Sequence, residues 1–183
     1  LVMILLSGIF SPHLFAKDIS KRNIKKNYGK VLEYKGLKEK FKIEKTKKHT
    51  LHFLHSKGKL EIPETVLADN IEISVQKVKL AYDRKKFKAR GEVHQLGPGG
   101  LRFKKPVLLT LPYTAPEGFK EEFIHIYYYN KPEERWQLME KVDQDFENNT
   151  ITAKIEHFSP YVPGTGSYSV NEGLSPTAGY FKN

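Results

Sequence analysis

The chain has no cysteine in its 183 residues. That excludes a disulfide framework, a thiolate nucleophile and a cysteine-ligated metal centre. Long apolar runs are also missing. The most apolar stretch, LVMILLSGIF at residues 1–10, is too short for a helix that must cross a bilayer, which takes about 20 residues. No helical periodicity of useful length occurs, and period-two alternation takes its place.

The apolar stretch is followed by Ser11, Pro12 and the small residue Ala16. It reads as a signal peptide over residues 1–16, although no Lys or Arg precedes it. Export to the cell envelope or surface follows, and a cysteine-free exported domain is of bacterial style. The net charge is +10, and residues 17–48 hold 13 Lys and Arg against 4 Asp and Glu. The rest of the chain is therefore nearly neutral. This basic segment is expected to be an arm with weak, salt-sensitive attraction to polyanions, through residues such as Lys21, Arg22, Lys25 and Lys26. Arg22 is its only arginine, so the segment does not resemble a bidentate phosphate reader.

Beyond residue 48 the sequence alternates. Ile71, Ile73 and Val75 keep strict period two, and Val78 and Leu80 resume it one residue out of step, which predicts a β-bulge or a bend near Gln76 and Lys77. Val107, Leu109 and Leu111 alternate with Leu108 and Thr110, and Ile151, Ala153 and Ile155 with Thr152 and Lys154. Residues 123–129 form an aromatic and β-branched run. Turn signals separate these runs at 97–100, 112–118, 130–134 and 147–149. Many short strands with regular punctuation predict an all-β fold, an antiparallel β-sandwich over residues 49–163. The predicted core comprises Leu60, Ile62, Ile71, Ile73, Leu101, Phe103, Val107, Leu109, Leu111, Ile124, Ile126, Trp136, Leu138, Ile151, Ile155 and Phe158. Residues 164–183, opening with Gly164, Thr165, Gly166 and Ser167, read as a flexible tail or linker toward further polypeptide.

The segment GPGGLRFKKPVLLTLP at 97–112 is a glycine-rich turn feeding a strand bounded by prolines. Upstream lie Leu60, Ile62, Pro63 and Leu67; downstream lie Tyr127–Tyr129, Trp136 with Leu138, and HFSPY at 157–161. In this order these segments resemble the ZU-type domain of zonula occludens proteins, uncoordinated-type netrin receptors and ankyrins. Thr65 and Val66 depart from the Gly and Ala usual there. The resemblance implies a β-sandwich used for protein contacts, hence a non-enzymatic structural or interaction module without a cofactor.

His157, Phe158 and Ser159 are the one set with a conceivable reaction, because some relatives of this family cut themselves between Phe and Ser in such a sequence. A strained peptide, a proton acceptor and oxyanion donors would be required. The expectation is instead that Phe158 is core and the chain stays whole. His49, His52 and His55 would alternate faces on a strand and so are not expected to converge on zinc. Asp143, Asp145, Glu147 and Asn149 begin like a calcium loop, but Asn148 and Lys154 occupy the places of its Gly and Glu. No metal is expected. Tyr128 must face away from Tyr127 and Tyr129, which makes it a candidate exposed contact residue, with ordinary strand propensity as the alternative reading.

Overall fold

The structure is a computed structural model that describes residues 28–166. The signal-peptide region, Lys21, Arg22, Lys25, Lys26 and the tail after residue 166 lie outside the described residues. Two antiparallel sheets build the fold. In chain order the strands are β1 (Val31–Ile43), β2 (His49–Phe53), β3 (Gly58–Ile62), β4 (Ile71–Leu80), β5 (Phe87–Ala89), β6 (Val93–Gly97), β7 (Arg102–Pro112), β8 (His125–Asn130), β9 (Arg135–Leu138), β10 (Lys141–Asp145), β11 (Thr150–His157) and β12 (Pro160–Gly166). One 3-10 turn, Glu121–Phe123, precedes β8. The seven-stranded sheet runs β1-β4-β6-β12-β8-β9 with β5 also paired to β12, and the five-stranded sheet runs β10-β11-β7-β3-β2. Among the described residues no helix is long and apolar enough to cross a membrane.

The sheets meet on the alternating residues that the sequence marks. Leu60 and Ile62 of β3, Val107, Leu109 and Leu111 of β7, and Ile151, Ala153 and Ile155 of β11 all point inward and are buried. Ile73, Val75 and Leu96 close the core from the larger sheet. Ile71, Leu101 and Leu138 are only partly buried, at its margins.

The larger sheet is covered on its other face as well. Val78, Leu80, Phe87, Val93, Tyr127, Tyr129, Trp136 and Val162 form a second cluster. Phe87 stacks on Trp136 at 5.2 Å, and Tyr82 and Tyr129 meet the indole edge-on at 5.4 and 5.2 Å. This second core corrects the expected bulge. β4 pairs with β6 without a break from Ser74 to Val78. Its apolar residues fall out of step because Ile73 and Val75 enter the main core while Val78 and Leu80 enter the second. The irregularities lie on β1, a small one between Val31 and Glu33 and a larger one between Lys35 and Glu39, opposite Gln76.

The domain limits also differ from expectation. β1 pairs with β4 over most of its length, so the sandwich starts near Val31 rather than at residue 49. The lysines of β1 are partly offset across strands, with Lys40 on Glu72 at 2.8 Å and Lys35 near Glu92 at 3.9 Å. Gly164, Thr165 and Gly166 pair with Ala89, Lys88 and Phe87, so they belong to β12 and not to a linker. Gly164 is a packing glycine: a Cβ there would meet the Phe87 ring and lie 2.8 Å from the Lys88 carbonyl oxygen. The antiparallel order also brings the start of β1 and the end of β12 to the same end of the larger sheet, since Val31 faces Leu80, Val78 faces Val93 and Gly164 faces Ala89.

Candidate functional site at the sheet crossing

β11 ends at His157 in the smaller sheet and β12 begins at Pro160 in the larger one, so Phe158 and Ser159 carry the chain from one layer to the other. Phe158 is buried, with its ring edge-on to Phe103 at 5.1 Å. The glycine-rich turn grips the crossing backbone. The Phe158 amide donates to the Leu101 carbonyl at 2.8 Å, and the Phe158 carbonyl accepts from the Gly100 amide at 3.1 Å. One residue on, the Ser159 carbonyl accepts from the Leu96 amide at 3.2 Å. Gly100 sits at φ +80°, a left-handed conformation that glycine adopts at little cost.

His157 lies among aromatic rings, 4.8 Å edge-on from Tyr128 and 6.5 Å from Tyr161. The Tyr161 hydroxyl donates to the His157 carbonyl oxygen and lies 3.4 Å from its Nδ1. Burial lowers the His157 pKa and the Arg102 guanidinium adds to the effect, while Glu156 opposes it. The ring is therefore mostly neutral at pH 7, and a weaker base than an exposed histidine. Burial likewise raises the Tyr161 phenol, with Tyr128 and Glu156 adding to it. The Ser159 hydroxyl, however, donates to the Tyr129 carbonyl oxygen at 3.2 Å. The crossing thus brings together His157, Phe158 and Ser159 with one amide on the Phe158 carbonyl, but the serine proton is committed to a third strand.

Tyr128 is not an exposed contact residue. It is half-buried against His157, and its hydroxyl donates to the Gln137 side-chain oxygen. Asn130 donates to the same oxygen at 3.1 Å, and Gln137 donates to Glu133 at 3.1 Å. β8 has apolar neighbours on both faces, so facing away from Tyr127 and Tyr129 does not mean facing solvent.

The two patterns weighed as metal sites have local roles. His49 Nε2 lies 3.0 Å from both the amide and the carbonyl of Glu44, and Asp145 accepts from the Asn148 amide and side chain at 2.9 and 2.7 Å. Among the described residues no three His, Cys, Asp or Glu side chains gather as a metal set.

Sequence reasoning missed His94. It is 1% exposed on the inner face of β6, with its ring 6.5 Å from Phe53. The alternation of His94 with Leu96 was a usable signal, but Val93 is buried on the opposite face and masks it. In comparison with known proteins, no family model matches the chain and no curated protein matches it.

Proposed function

We propose that the chain is a non-enzymatic β-sandwich of the ZU type, serving as a structural and protein-interaction module of an exported, bacterial-style surface protein. The observation that carries this reading is β1. It is a 13-residue strand at the end of the larger sheet, paired on one side only among the described residues, with Leu32 and Tyr34 exposed at 56% and 64%. An edge of that length with open backbone groups and apolar side chains suits addition of an extended strand from a partner protein or from following polypeptide. The order of the segments that resemble the ZU type, now placed in two antiparallel sheets, supports the same reading. The commitment of the Ser159 hydroxyl to Tyr129 favours a chain that stays whole.

Two measurements test the proposal. A photo-crosslinking residue at Tyr34, in the cell that makes the protein, is expected to trap one defined partner, and the same residue at Glu147 on the far turn is not. Mass spectrometry of the purified chain, incubated with hydroxylamine to capture esters, is expected to show one intact species. Fragments ending at Phe158 and starting at Ser159, abolished by Ser159→Ala, would make this a self-cleaving domain instead.

A further inference from the structure

Beside the larger irregularity of β1 lies a cleft of about 820 Å³ lined by residues of both sheets. Its walls include Leu54 from the β2–β3 turn, Val75 from β4, and Pro112 and Tyr113 at the end of β7. Leu37 stands at its lip, 91% exposed. A cleft of this size with largely apolar walls and a few polar groups has the form of a small-molecule site.

The polar groups are unequally engaged. Glu39 accepts from the Leu54 amide at 3.2 Å, and Glu92 lies 3.9 Å from Lys35. Lys57 and Lys77 also line the cleft, and among the described residues neither has a carboxylate partner. Glu39 keeps its charge, so three lysines (Lys35, Lys57 and Lys77) stand against two glutamates (Glu39 and Glu92) and the lining is positive by one charge. At the cleft wall His94 is almost wholly buried with no hydrogen bond to either ring nitrogen among the described residues. Buried polar atoms without partners are rare and call for an explanation. The ring nitrogens are covered, so the ring responds to a bound charge first through its field, and through a direct bond only if the ring turns.

The cleft border is also strained. Leu54, His55 and Ser56 hold consecutive φ values of +53°, +53° and +70°, and none is glycine. Left-handed residues of this kind cost about 1–3 kcal/mol each and concentrate at ligand sites.

We infer that this inter-sheet cleft binds a small amphipathic anion, with an apolar body against Leu37, Leu54 and Val75 and a carboxylate drawn to Lys77 and Lys57. Charge complementarity decides the class, because a cation would meet two unpaired ammonium groups and a neutral molecule would leave them unused.

Decanoate is the probe, with decyltrimethylammonium and decanol as the cationic and neutral counterparts, titrated calorimetrically into the full chain. Decanoate is expected to bind one to one with a Kd of about 0.1–1 mM, as its size allows. Lys77→Gln is expected to weaken it about five- to tenfold while leaving decanol unchanged, the scale of one charge-assisted contact. Leu37→Glu, at an exposed position that folding does not need, should weaken both. NMR should place the shifts at residues 35–39, 54–57 and 75–77, and the His94 ring should titrate at higher pH with decanoate present, since a nearby anion favours the charged ring. Equal binding of decyltrimethylammonium, unchanged decanoate affinity in Lys77→Gln, or shifts confined to another surface would overturn the inference. So would a full chain that binds decanoate only after residues 1–27 or 167–183 are removed, since the occupant would then be the chain itself.

Discussion

His94 holds its proton affinity far from the ordinary value. Burial pushes its pKa down from 6.5 to about 4, and the Lys77 ammonium across the strand adds to the shift. The Glu92 carbonyl opposes this weakly, without the geometry of a hydrogen bond. Between pH 6.5 and 4 the unfolded chain takes up a proton at this histidine and the folded chain refuses it. The folded state is therefore fully favoured above pH 6.5 and loses stability as the pH falls, by about 3 kcal/mol at pH 4 from this residue. His125, half-buried beside Lys141, is shifted the same way and adds to the slope. Urea denaturation from pH 7 to pH 4 should show the decline, and His94→Phe should flatten it. An unchanged slope in that variant would mean another group carries the dependence. Gly164→Ala is expected to cost about 1–3 kcal/mol, because the new methyl group meets Phe87 and the rigid Lys88 carbonyl. Ser56→Gly should go the other way, relieving a left-handed serine, and a thermal melt distinguishes the two.

Among the elements, β7 and β11 were the most legible. The apolar residues of each line one face, so Val107, Leu109, Leu111, Ile151 and Ile155 keep a clean period of two, although Thr110 is buried on the other face of β7. β4 and β8 were misread for one shared reason, that both faces of the larger sheet are covered. A strand buried on both faces loses its alternation, which is why Gln76 was mistaken for a bulge and Tyr128 for a surface residue. β1 was hidden by its charges: nearly all of its side chains are exposed, so Lys and Glu interrupt any apolar alternation that would mark it as a strand. At the crossing, the sequence pointed to Phe158 as core, but could not show that Tyr129 receives the serine proton. It carried no sign of the cleft, whose walls come from residues up to 79 positions apart, as Lys35 and Thr114 are. The status of β1 has a direct test. A chain starting at His49 would leave the β4 edge and Phe41 and Ile43 unreplaced, and should lose cooperative unfolding by circular dichroism. Full retention of the thermal transition would return residues 31–43 to the rank of a dispensable arm.

At the scale of the whole molecule, β12 lies inside the larger sheet, between β6 and β8, although it closes the described chain. A break in the backbone at the crossing would therefore leave its strand gripped on both sides, and gel filtration would show one species where a denaturing gel showed two. The common exit of the two ends has a mechanical meaning. Load applied between the start of β1 and the end of β12 pulls from one end of the sheet, so the ladder between β1 and β4 opens rung by rung and not all at once. Cysteines placed at Lys30 and Gly166, unique in a chain that has none of its own, give the handles for a single-molecule pulling experiment. The domain should yield at far lower force through these handles than through a pair at Lys30 and Gly99, which lies just past the opposite end of β6. Built into a surface protein, such a fold would give way early under tension and re-form when the load is released, acting as an extensible link in the chain.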